Sequence, residues 1–123
     1  MKNNKRENLI VSKSLEFSLK IIELYKEMVK GHEYVISKQI LRSGTSIGAN
    51  VQEAQAAQSR KDFISKMSIA SKEARETKYW ISLLDKSELI PDCHDHILSL
   101  YSDIDDIINI LSKIVKTSSL QEK

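Results

Sequence analysis

Apolar side chains recur every three or four positions in four stretches of similar length, and this periodicity limits the chain to helices that hide one face against each other. The first stretch runs over about 9–29. Val11, Leu15, Ser18, Ile22, Tyr25 and Val29 form one stripe, and Phe17, Ile21, Leu24 and Met28 form a second beside it. Together they make an apolar face wider than a simple surface helix needs. Ile40, Leu41, Gly44, Ile47, Gly48, Val51 and Ala54 mark a helix over about 37–58, and Phe63, Met67, Ala70, Ala74, Thr77, Ile81 and Leu84 a heptad-like seam over about 62–86. Ile97, Leu98, Tyr101, Ile104, Ile108, Leu111 and Val115 carry the fourth, over about 92–116.

The breaks agree with these limits. Gly31 is a candidate left-handed stop for the first helix, Ser37 a candidate N-cap for the second, and Ser59 or Asp62 a cap for the third. Pro91 closes the linker before the fourth, and Thr117–Lys123 is expected to fray. Short connections place successive helices antiparallel, so the expected fold is all-α, an up-down-up-down four-helix bundle in one domain of 123 residues. With 3 Gly and 1 Pro, a turn-rich β fold is disfavoured.

The net charge of +2 commits the protein to no polyanion, but its distribution is uneven. Residues 1–61 hold 11 Lys/Arg against 6 Asp/Glu, and residues 62–123 hold 8 against 11. Lys2, Lys5, Arg6, Lys13, Lys20, Arg60 and Lys61 are the candidate nucleic-acid contacts, the plainer reading being solvated charge. The polar start of the chain leads into no apolar signal core, no apolar run approaches the length of a membrane span, and Cys93 is alone, so a cytoplasmic location is expected.

Gly44 and Gly48 each cost a helix interior about 1 kcal/mol relative to alanine, and close approach of a neighbouring helix is the expected reason. Arg42, Glu53, Glu73, Arg75 and Glu76 flank the apolar seams and are expected to make ion pairs that set register. Arg42, Gly44, Ile47, Gly48, Glu53, Glu73, Glu76 and Trp80 are therefore the candidates for helix packing or a subunit interface. Trp80 also offers a ring for stacking on a base.

Asp92-Cys93-His94-Asp95-His96 is the one metal-like run, yet on a helix His94 and His96 diverge by about 200° and cannot share an ion. Glu73-x-x-Glu76 with Asp103-x-x-Asp106 resembles the paired carboxylates with which the all-α nucleotide pyrophosphohydrolases hold magnesium. That resemblance supplies the alternative function, a metal-dependent phosphohydrolase, although no lysine set for phosphates accompanies it. No arginine precedes a histidine at the spacing of the helical-bundle ribonucleases, and no serine triad stands out. No catalytic residue, metal, cofactor or small-molecule substrate is expected.

Gln39-Ile40-Leu41-Arg42-Ser43-Gly44-Thr45-Ser46-Ile47-Gly48-Ala49-Asn50-Val51-Gln52-Glu53-Ala54 resembles the signature of the bacterial four-helix-bundle family encoded in intervening sequences of 23S rRNA genes. A second match follows in Asp62-Phe63-Ile64-Ser65-Lys66-Met67-Ser68-Ile69-Ala70 and Glu73-Ala74-Arg75-Glu76-Thr77. The resemblance implies a bundle that assembles with itself into rings, commonly pentamers, around a central channel. It also implies kinship with the accessory protein of diversity-generating retroelements, whose basic pentamer binds nucleic acid. RNA or DNA is accordingly the expected further partner, with a non-enzymatic scaffold as the expected role.

Overall fold

The computed structural model describes residues 5–122, with the side chain of Glu122 outside the description. Four helices follow one another: α1 (Lys5–Lys30), α2 (Ile36–Gln55), α3 (Arg60–Ser87) and α4 (His94–Glu122), the last entered through a 3-10 turn at Pro91–Cys93. Helices of 20 to 29 residues span roughly 30 to 44 Å. Each packs on its chain neighbours, and α4 returns against α1, which puts the four at the corners of a square. Side-chain pairs give the directions. Lys13 meets Asp106, Lys20 meets Asp103 and Glu27 meets His96, so α4 numbers fall as α1 numbers rise. The same reversal relates α2 to α3 (Arg42 with Glu73, Glu53 with Lys66) and α3 to α4 (Lys78 with Asp105, Ser82 with Tyr101). The bundle is antiparallel throughout.

One continuous core fills the centre. Phe17, Ile21, Leu24 and Met28 of α1 are buried, as are Ile40, Ile47, Val51 and Ala54 of α2. Phe63, Met67, Ala70, Ala74, Ile81 and Leu84 enter it from α3, and Leu100, Ile104, Ile107 and Leu111 from α4. Both phenylalanine rings, Phe17 and Phe63, are among the fully buried side chains.

The helix ends depart from expectation in four places, each for a local reason. Gly31 does not adopt the left-handed conformation; His32 does, with φ 67°. His32 N–H then donates to Val29 O and Glu33 N–H to Met28 O, the Schellman pairing that satisfies the last carbonyls of α1. Ser37 is not the cap of α2, because Glu33 takes that role. Its carboxylate accepts from the backbone N–H of Val35, Ile36 and Ser37 at 3.1, 3.1 and 2.7 Å. At the other end α2 stops at Gln55 rather than 58. Finally, α4 does not fray after Lys116 but continues to Glu122, with Ser118 buried against α3 and 3.5 Å from Arg60. Ser59 caps α3, accepting from Asp62 N–H at 3.0 Å.

Candidate functional site

The α2–α3 seam collects most of the flanking charges. Arg42 sits between Glu73, at 3.4 Å, and Glu76, which it also contacts. Trp80, half-buried one turn beyond, donates its indole N–H to Glu76 at 3.0 Å. Beneath them the buried Thr77 and Ser43 hydroxyls lie 2.9 Å apart, Thr77 also donating to Glu73 O at 2.8 Å. Further along, Lys66 meets Glu53 at 3.1 Å. These charges link helices within one chain. Exposed pairs of this kind contribute little stability, and their geometry sets which turns of α2 and α3 face each other.

The α1–α4 seam holds the other acidic pair. Asp103 receives Lys20 at 2.6 Å, and Asp106 receives Lys13 at 3.7 Å. The four carboxylates that would form a phosphohydrolase centre therefore point into two different seams, Glu73 and Glu76 toward α2 and Asp103 and Asp106 toward α1. A shared magnesium needs its ligands about 2.1 Å from one ion, which this arrangement does not provide. Among the described residues no three His, Cys, Asp or Glu side chains converge on a metal position.

The same pairs bear on the candidate nucleic-acid contacts. Lys13 and Lys20 are both engaged by carboxylates, so a phosphate would have to displace an acid to reach them. Arg6 lies near Thr117 at 3.5 Å, and Arg60 packs over the Phe63 ring at 5.3 Å. Lys5 and Lys61 are exposed, and Lys2 lies outside the described residues. Arg6 and Arg60 reach adjacent residues of α4, Thr117 and Ser118, and so share one end of the bundle, whereas Lys13 and Lys20 lie along the α1–α4 seam.

His94 and His96 diverge at the start of α4, whereas Cys93 shares Glu27 with His96. His94 faces Asp85 of α3 at 4.0 Å, while His96 reaches Glu27 of α1 at 3.2 Å. The His96 hydrogen bond is the main influence holding the Glu27 carboxyl below its usual range. Burial, with Glu27 close by, pushes the Cys93 thiol up to about 11, so it stays protonated and unreactive at neutral pH.

The α1–α2 seam differs from the other three. Gly44 lies so close to α1 that an added Cβ would stand 2.8 Å from Ile21 Cγ1, and at Gly48 one would stand 3.3 Å from Ser18 Oγ. Ile47 is fully buried between them. Above this close approach lies a groove of about 300 Å³ lined by Val11, Leu15, Ser18, Ile22, Thr45 and Gly48, among others. None of its lining residues is charged. Leu15 is 57% exposed, Ile22 39% and the adjacent Leu19 57%. The wide apolar face of α1 thus divides. Phe17, Ile21, Leu24 and Met28 enter the core, whereas the stripe through Val11, Leu15, Ser18 and Ile22 is left half open to water. Leu15 and Ile22 belong to the apolar pattern of the sequence, but periodicity does not distinguish a side chain facing the core from one facing an open groove.

A family model described as 23S rRNA-intervening sequence protein matches residues 6–113. Among solved structures, a crystal structure from Bacteroides thetaiotaomicron, described as a protein with unknown function from the S23 ribosomal protein family, is 50% identical. The match covers 90% of this chain and 98% of that one, with a TM-score of 0.84. No curated protein matches the chain. No helix among the described residues is long and apolar enough to cross a membrane.

Proposed function

Because the chain belongs to the 23S rRNA-intervening sequence protein family, we propose that it is a non-enzymatic building block, a four-helix bundle that joins copies of itself into a ring, with the α1–α2 groove as one docking surface. The observation that carries this reading is the uncharged apolar groove along Val11, Leu15, Ser18 and Ile22. Apolar patches of this sort on small domains are characteristic of interaction sites. A second copy of this chain is the occupant assigned. Helix α3, diagonal to α1 in the square, carries an apolar ridge of its own in Leu83, 38% exposed, and the half-buried Trp80. A groove on one side and a ridge on the other suit a head-to-tail arrangement, which closes into a ring when the rotation per copy divides a full turn. A pentamer is the assembly assigned.

Light scattering on the purified protein tests this. The expected mass is about five times the 14.1 kDa chain, and the double variant Leu15→Glu, Ile22→Glu is expected to run as a monomer with unchanged helical circular dichroism. Both side chains are exposed in the single chain, so charge there disturbs an interface rather than the core. A wild-type protein that remains at 14.1 kDa at every concentration would overturn the reading. The reading assigns no catalytic role, and the division of the four carboxylates between two seams supports that part of it.

A further inference from the structure

Among the described residues six cations face an acid in an ion pair, and the acids themselves are unevenly spread over the surface of the bundle. Arg42, Lys13, Lys20, Lys66 and Lys78 all sit within ion-pair distance of a carboxylate on a neighbouring helix. Lys72, Arg75 and Lys116 meet none among the described residues. The reason lies in the sequence. Residues 63–72 of α3 and 107–121 of α4 contain no Asp or Glu, and the antiparallel packing lays these two segments side by side.

Between them runs a groove of about 300 Å³ lined by Ser68, Ser71, Ser112, Val115 and Lys116. Arg75 stands at its edge and donates to Ser112 Oγ at 3.3 Å. One of its five N–H donors is used in that bond, leaving the rest of the planar fork to a ligand. Lys72 and Tyr79 continue the same outward line of α3, at three- and four-residue spacing from Arg75. Tyr79 is 59% exposed one turn past Arg75.

From this geometry we infer that the α3–α4 groove binds the phosphodiester backbone of a single-stranded nucleic acid. Serine hydroxyls donate to phosphate oxygens, Lys72, Arg75 and Lys116 neutralise them, and the exposed Tyr79 ring offers a base a stacking surface. The sequence-wide charge of +2 does not reveal the site, because the acids are concentrated elsewhere on the bundle. The inference is independent of self-assembly, since every residue in it comes from one chain and none lines the α1–α2 groove.

The test is fluorescence anisotropy with a labelled oligouridine at about 50 mM salt, and again at about 200 mM. Binding is expected to weaken with salt, and Arg75→Ala with Lys116→Ala is expected to lower affinity at least tenfold. The same double variant should reduce the logarithmic salt slope by about 1.4, at about 0.7 for each phosphate that is no longer neutralised. Lys13→Ala with Lys20→Ala removes the same net charge from the neighbouring α1–α4 seam, where both lysines already face carboxylates, and is expected to change affinity less than twofold. Circular dichroism confirms that both variants remain folded. No binding by the wild type at the lower salt overturns the proposal, as does an equal drop in affinity for the two double variants. Competition by inorganic phosphate as effective as that by unlabelled strand, at equal phosphate concentration, would mean a free anion is the ligand and would also overturn it.

Discussion

Gly44 sits where α1 and α2 approach most closely, and its missing side chain is what permits that distance. An alanine methyl would stand 2.8 and 3.0 Å from the two γ carbons of Ile21, which branch close to the backbone and cannot swing away. Overpacking of this kind costs about 1–3 kcal/mol, and the better helix propensity of alanine returns about 1. Gly44→Ala is therefore expected to lower stability by about 1 kcal/mol in urea unfolding. Gly48→Ala, whose methyl meets only Ser18 Oγ at 3.3 Å and Ser14 O at 3.4 Å, is expected to be near neutral. A double-mutant cycle sharpens the point, because Ile21→Ala should cost less in the Gly44→Ala background than in the wild type. Additive effects would mean the two residues do not touch as described.

At the level of the helix, the turn between α1 and α2 depends on one acid. Burial alone would raise the Glu33 carboxyl, but the N–H groups of Ser37, Ile36 and Val35 that it accepts outweigh burial and hold it below its usual value. A lowered folded-state value contributes stability that is complete above the unfolded value and is lost as pH falls through the folded one. The start of α2 is thus expected to loosen only in acid below about pH 4.5, the ordinary value of the group. Glu33→Gln should cost about 1 kcal/mol at neutral pH and flatten this acid dependence, as measured by thermal melts from neutral pH downward. A variant with an unchanged acid profile would show that the carboxylate is not the cap. Two helix ends also carry strain. His32 and Glu88 have positive φ, of 67° and 53°, without being glycine. Glu88→Gly, where the side chain is exposed, is accordingly expected to stabilise by roughly 0.5–1 kcal/mol.

For the whole molecule, the distribution of charge decides which chemistry the bundle can support. Two acidic pairs that share an i,i+3 spacing end up in separate seams, each neutralised by cations of a different helix. Millimolar magnesium is therefore expected to leave the melting temperature unchanged, since a cation with no assembled site adds no linkage energy. A clear upward shift would revive a metal-dependent reading. Two grooves of different character, an apolar one over α1 and α2 and a cationic one over α3 and α4, lie on opposite faces of the square.

The four helices and most of their buried residues were legible in the residue order, because burial in a helix imposes a repeat of 3.6 and little else produces it, although Leu98 of the fourth stripe is 49% exposed. Phe63, Met67, Ala70, Ala74, Ile81 and Leu84 are buried as that repeat requires. The glycine pair likewise announced a close approach, since two mid-helix glycines carry a cost that packing must offset. What residue order does not contain is which of two adjacent apolar stripes on α1 turns inward. That depends on where α2 and α4 stand, and the answer leaves Leu15 and Ile22 at the surface. Nor does it say which acids meet which cations. Lys20 and Asp103 are 83 positions apart, and only packing of α4 back onto α1 brings them to 2.6 Å. That pairing removes Lys20 from the free cations and leaves Arg75 and Lys116 among them. Local periodicity is a property of neighbouring residues, whereas the partner of a charge is set by the distant helix that folding places beside it.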